Sequence, residues 1–302
     1  MAEKTGTVPF VYQGETFNTW YKVVGELKPG VRPLVTLHGG PGIPHQYMLS
    51  HVELAGSPSN RAVVFYDQIG CGLSTHAPDK PAEFWSPALF MDELDNVLAH
   101  FSIAGDFDLL GHSWGGMLAA QYAAERRPAG LRHLILTSAP AAMDLWSKGT
   151  RALMEGLPSD IREVIERCER EGKTDTPEYE EATSVFYNKH VCRLSPWPEG
   201  LQAAFGEMSK DPTVYRAMVG PSEVLITGTL KGWSVVDILF NISVPTLLIN
   251  GHHDETQDVG VLPFFLHIPK VRWVQFASSS HMSFHEEKDR YMSTVENFLT
   301  EV

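Results

Sequence analysis

Two periods of apolar residues run through this chain, and where they change marks its organisation. Thr7 to Val11 and Phe17 to Val24 read as β-strands and are expected to pair antiparallel. Leu34-Val35-Thr36-Leu37 is almost wholly apolar, as a strand buried on both faces would be. It runs straight into His38-Gly39-Gly40-Pro41-Gly42. The next strand, Ala62 to Tyr66, precedes a glycine-rich loop. Ser86 then caps a helix with Pro87 at its first position and Leu89, Phe90, Leu94, Val97, Leu98 and Phe101 along it. Phe107-Asp108-Leu109-Leu110 leads through a turn into an alanine-rich helix that ends before Pro128, and Leu131 to Leu136 supplies another strand. This alternation predicts a mainly parallel sheet with helices on both faces.

From Pro140 to Trp233 the rhythm changes. Charged helical stretches, Ser159 to Gly172 and Pro177 to His190, follow one another without strands. Alternation resumes at Val244 to Asn250 and Val271 to Ala277, and a last helix covers Lys288 to Leu299. The pattern therefore predicts one α/β core, residues 1–139 and 234–302, split by a helical cap at 140–233. Connections that leave the carboxyl ends of parallel strands overlie the ligand crevice, so this insertion is expected to cover the site.

The bulk numbers narrow the classes. The chain has 302 residues, 43% apolar and 20% charged, enough to bury a large core. A net charge of −13 opposes phosphate backbones and anionic lipid surfaces, so no nucleic acid or membrane partner is expected. Cys71, Cys168 and Cys192 are odd in number and widely spaced, which fits a reducing compartment. Met1 to Phe10 lacks the apolar run of a signal peptide, and the expected location is cytoplasmic.

Gly111-His112-Ser113-Trp114-Gly115 stands between an apolar strand and an alanine-rich helix, the setting of the nucleophile turn in the α/β-hydrolase fold. Small residues on either side let the strand and helix pack closely while the serine hydroxyl stands clear. A serine needs a base, and the base an orienting acid, in the chain order Ser, Asp or Glu, His. Asp254, just past the strand ending at Asn250, is the candidate acid, with Asp258 as competitor. His281, after Ser278-Ser279-Ser280, is the candidate base, with His285 as rival. Backbone amides of Trp114 and Gly40 are the candidate oxyanion donors. The neighbouring His112 is expected to pack or to hydrogen-bond. No metal or organic cofactor is expected: Met282 stands where the zinc motif H-E-x-x-H needs glutamate, and adjacent His252 and His253 rarely address one ion.

Taken together, His38-Gly39-Gly40-Pro41-Gly42, Asp67-Gln68-Ile69-Gly70-Cys71-Gly72-Leu73-Ser74, Gly111-His112-Ser113-Trp114-Gly115-Gly116, Gly251-x-x-Asp254-Glu255 and Ser280-His281 resemble the prolyl aminopeptidases, or proline iminopeptidases, of the α/β-hydrolase superfamily. The resemblance implies that glutamates bind the α-ammonium of a free N-terminus. By position these would be Glu255, next to the triad acid, and Glu223, in Gly220-Pro221-Ser222-Glu223 of the cap. Gly39 joins them as a candidate substrate-binding residue. A buried cationic amine needs such partners to offset its desolvation.

Three functions are open at this point. The first is a serine exopeptidase releasing an N-terminal residue, preferably proline, from a small peptide or amino-acid amide. The second is a broader amino-acid amidase or esterase acting on a small molecule. The third is a non-catalytic binding protein on the same fold, which the full Ser, Asp and His set disfavours.

Overall fold

The computed structural model describes residues 1–56 and 60–300. Its strands are β1 (Glu3–Tyr12), β2 (Glu15–Val24), β3 (Leu34–Leu37), β4 (Val63–Tyr66), β5 (Phe107–His112), β6 (Leu131–Thr137), β7 (Thr246–Gly251) and β8 (Val271–Phe276). They form one sheet in the order β1-β2-β4-β3-β5-β6-β7-β8. The β1–β2 and β2–β4 pairs are antiparallel and the others parallel, as an α/β-hydrolase sheet requires.

The inner strands carry unbroken apolar runs because each deals its side chains alternately to two cores. Leu109, Leu134, Leu136 and Leu248 enter one core with Phe90, Leu94 and Ala120 from the helices Pro87–His100 and Trp114–Glu125. Leu110, Ile135, Leu247 and Ile249 enter the other with Tyr291, Val295 and Phe298 of the helix Lys288–Thr300. Ser86 caps its helix by accepting from the Leu89 amide at 3.4 Å, with Pro87 in the first turn where no backbone donor is missed.

Between β6 and β7 the described residues hold five α-helices, Met143–Glu155, Ser159–Glu171, Pro177–His190, Glu199–Lys210 and Thr213–Met218, then the 3₁₀ helix Val236–Asn241, with two isolated bridges. Ser159–Glu171 ends on Gly172, which adopts the left-handed conformation (φ 67°) that glycine tolerates best. Ile165, Cys168, Tyr179, Ala182 and Phe186 give this segment a small core of its own. β7 starts at Thr246 rather than Val244, since Pro245 has no amide to donate to a ladder. The helix Asp258–His267 was not expected; Pro263 inside it conceals the pattern. Among the described residues no helix is long and apolar enough to cross a membrane.

Candidate active site

At the carboxyl end of β5 the chain reverses sharply, and Ser113 sits at φ 55°, ψ −123°. Such a conformation costs a non-glycine residue on the order of 1–3 kcal/mol and persists only where the surroundings fix it. The surroundings are glycines. A Cβ on Gly111 would lie 2.1 Å from the Gly115 carbonyl oxygen, and one on Gly115 2.2 Å from that of Leu37. The turn therefore depends on the two glycines that frame the serine, and Ser113 remains partly open to the cavity above the sheet.

Asp254 and His281 come to the same place from β7 and β8. His281 Nδ1 donates to Asp254 Oδ1 at 2.7 Å, and Asp254, wholly buried, also accepts from the amides of Thr256 (2.7 Å) and Gly251 (3.4 Å). His281 Nε2 lies on the cavity side, 3.6 Å from Glu255 Oε1. Ser113, His281, Gly40 and Glu255 line one cavity. Trp114 opens the helix Trp114–Glu125, so its amide has no partner within the helix and stands at the positive end of the dipole. Gly40 takes φ 106°, where a Cβ would meet the Ile43 nitrogen at 2.6 Å. Gly39 also lines the cavity, but its amide donates to Tyr47 Oη at 2.5 Å, which leaves close backbone approach as its contribution.

The cavity has two lobes that meet at Gly40, Ser113 and Glu223. One lobe is walled by Met117, Pro140, Met143, Trp146, Val219 and Leu230. Its walls are almost wholly apolar, which suits one small apolar group. Glu223 accepts from Tyr215 Oη at 2.8 Å, and its carbonyl accepts from Trp146 Nε1 at 3.0 Å. Glu255 is buried, and its Oε2 has no hydrogen-bond partner among the described residues. Burial raises the pKa of both carboxyls, and for Glu255 the charges of Glu223 and Asp254 raise it further. A cation placed between them would favour the ionised form of both.

Comparison with known proteins gives the same picture. Residues 32–288 match the family model described as alpha/beta hydrolase fold. The proline iminopeptidase of Saccharolobus solfataricus is 38% identical over 94% of this chain and 90% of its own length. The crystal structure of the proline iminopeptidase of Mycobacterium smegmatis superposes with a TM-score of 0.89 at 41% identity, covering 98% of this chain and 97% of that one. The chain belongs to the proline iminopeptidase family. It is a hydrolase on the α/β-hydrolase fold, and the crystal structure of VinJ is similar over 98% of both chains, with a TM-score of 0.94 and 46% identity.

In this member of the family the competing candidates are occupied elsewhere. Asp258 accepts from Asn250 Nδ2 (3.0 Å) and Gln275 Nε2 (2.6 Å), and His285 Nε2 bonds the Tyr47 carbonyl at 2.8 Å. His252 and His253 stand side by side with ring centres 4.9 Å apart. Among the described residues no group of three or more His, Cys, Asp or Glu is arranged to hold a metal.

Other contributors left little trace in the sequence. Gln68 accepts from Trp114 Nε1 at 2.8 Å, and its amide donates to His38 Nε2 at 2.9 Å, bracing the walls around the two oxyanion candidates. The carbonyl of His190, the last residue of Pro177–His190, accepts from the amides of both Glu255 and His281 at 3.2 Å. His190 Nδ1 also donates to the His253 carbonyl at 2.8 Å.

Glu93 was readable, since it is a charge on the apolar stripe between Phe90 and Leu94. It is wholly buried and accepts from Thr19 Oγ1 (2.5 Å) and the Ile69 amide (3.0 Å), behind the Gln68 loop. Burial pushes its carboxyl from 4.5 up to about 8, opposed by the bonds from Thr19 and Ile69. An acid whose folded pKa exceeds its unfolded one stabilises the fold below the unfolded value, and that contribution is lost as pH rises through the folded value. The contribution of Glu93 to stability is therefore expected to fall as pH is raised from 4.5 through about 8. Glu93→Gln should flatten that slope in thermal denaturation measured across the same window.

Proposed function

We propose that the protein is a serine exopeptidase that hydrolyses the amide bond after an N-terminal residue, with proline preferred. The observation that carries this reading is the pair of confined carboxylates, Glu223 and Glu255, beside Ser113 and next to a small apolar lobe. The carboxylates suit a free ammonium, and the lobe suits a compact apolar side chain such as the proline ring. Both features together select the first residue of a chain and exclude internal bonds.

The chemistry is acyl transfer. His281, oriented by Asp254, takes the proton of Ser113 as its Oγ attacks the carbonyl carbon. The amides of Gly40 and Trp114 receive the developing oxyanion. His281 then protonates the leaving amine, the C–N bond breaks, and an acyl-enzyme remains. Water, deprotonated by His281, attacks this ester, and collapse of the second tetrahedral intermediate frees the amino acid and Ser113.

Steady-state hydrolysis of Pro-, Ala- and Leu-arylamides, each with and without an N-acetyl group, tests this reading. Free Pro-arylamide is expected to be the best substrate and the blocked compounds to be inert. Glu255→Gln and Glu223→Gln each remove a charge partner of the ammonium. Breaking a buried pair on one side costs about 3–5 kcal/mol, so kcat/KM is expected to fall about 10²- to 10⁴-fold. The raised carboxyl pKa values add a direction: KM for free amines rises as pH is lowered, because the protonated carboxyls no longer pair the ammonium. Equal rates on blocked and free substrates would show that the carboxylates do not read the N-terminus.

A further inference from the structure

His112 immediately precedes the nucleophile, and the mechanism above does not use it. It is buried at 1% exposure, yet both ring nitrogens are hydrogen-bonded and their roles can be assigned from the neighbours. Tyr47 Oη accepts from the Gly39 amide, so its own proton is directed to its other partner, His112 Nδ1, at 2.9 Å. Nδ1 is therefore bare. The ring proton resides on Nε2 and is donated to the main-chain carbonyl of His281 at 3.0 Å. Burial holds the imidazole well below its usual pKa, which agrees with a neutral ring of one tautomer. The ring is also packed against the imidazole of His281 and against Phe284, with centres 4.6 and 5.0 Å away.

Three parts of the site converge on this side chain: the turn that carries Ser113, the loop that carries the base, and, through Tyr47, the glycine beside Gly40. We propose that His112 is a positioning residue whose Nε2–H fixes the main chain of His281, and with it the base, while its Nδ1 serves only to accept from Tyr47 and so hold the ring in that orientation. The inference rests on His281 being the base and Ser113 the nucleophile. Displacing a base or an oxyanion donor by ~1 Å can cost about 10²-fold in rate, so one hydrogen bond at this junction carries kinetic weight.

Two substitutions separate the two bonds. In His112→Asn the amide oxygen stands near the place of Nδ1 and keeps the Tyr47 bond, but nothing reaches the His281 carbonyl. In His112→Gln the amide nitrogen stands near the place of Nε2 and keeps that donor. With Pro-arylamide and concentrations corrected by active-site titration, His112→Asn is expected to lose about 10- to 100-fold in kcat with little change in KM. His112→Gln is expected to recover most of that rate. Nitrogen-15 NMR of the wild-type histidines should show His112 as the neutral Nε2–H tautomer across the activity range, a measurement that needs no variant to fold.

Equal impairment of the two variants, wild-type rates in His112→Asn, or an Nδ1–H or titrating His112 would each overturn the proposal. Ser113→Ala and His281→Ala run in parallel identify the other failure: if either stays active, the triad reading falls, whereas if both are dead the result bears on His112 alone.

Discussion

Ser113→Ala is expected to lower kcat on Pro-arylamide by about a millionfold while leaving the fold intact. Where a nucleophile, its base and its acid act as a unit, loss of the nucleophile alone costs on the order of 10⁶ in kcat. What remains is the work of the oxyanion donors and of binding, about 10³- to 10⁴-fold over water. Alanine at this position retains the strained backbone of Ser113 (φ 55°) and both framing glycines, so the far-ultraviolet circular dichroism and Tm are expected to stay near wild type. An organophosphonate that labels the wild-type enzyme should leave this variant unmodified. Turnover persisting at more than a small fraction of the wild-type rate, in protein free of wild-type contamination, would remove the nucleophile from the mechanism.

Asp254→Asn is expected to cost about 10⁴-fold in kcat, the scale seen when a triad acid becomes its amide. The reason is the tautomer. Asp254 Oδ1 accepts from His281 Nδ1–H at 2.7 Å, which leaves Nε2 bare to take the serine proton. An asparagine placed there can present its NH2 group to Nδ1, and the ring proton then moves to Nε2, where it blocks proton transfer. The carbonyl oxygen of the same amide then stands in the place of Oδ2 and still accepts from the Gly251 amide, whereas the Thr256 amide, which shares Oδ1 with His281, loses its acceptor, so some stability is expected to be lost along with the rate. Asp258→Asn is the control, since Asp258 serves Asn250 and Gln275 rather than the base. If the two substitutions reduce kcat alike, the acid has been misassigned.

Much of this was legible because sterics leave few alternatives. Gly111 and Gly115 lie in a turn where any Cβ would strike a carbonyl oxygen, so the candidate nucleophile stands out by its place between an apolar strand and an alanine-rich helix. Asp254 and His281 follow strands, and strands with period-2 or unbroken apolar patterns are easy to find. Asp258 and His285 had nearly the same claim from position, and only hydrogen bonds made by distant residues separate them. Tyr47, Tyr187 and Tyr215 are ordinary aromatics in sequence. Tyr47 gains its place from a fold that sets it against His112, and Tyr187 and Tyr215 gain theirs from one that brings them against Glu223. The helix Asp258–His267 was hidden by Pro263, and Glu93 was visible as a misplaced charge whose partners were not.

The carbonyl of His190 gives the molecule a property that a contact inventory would miss. That single acceptor is shared by the amide of Glu255, at the substrate's amino end, and the amide of His281, at the reacting end. Any displacement of this helix end therefore moves the amides of Glu255 and His281 together. A substrate that forces such a displacement can still bind, but the proton transfers it needs fall out of alignment. Under the proposed mechanism, discrimination among N-terminal residues is then expected in the rate of acylation more than in affinity, so that poor substrates are held but turned over slowly.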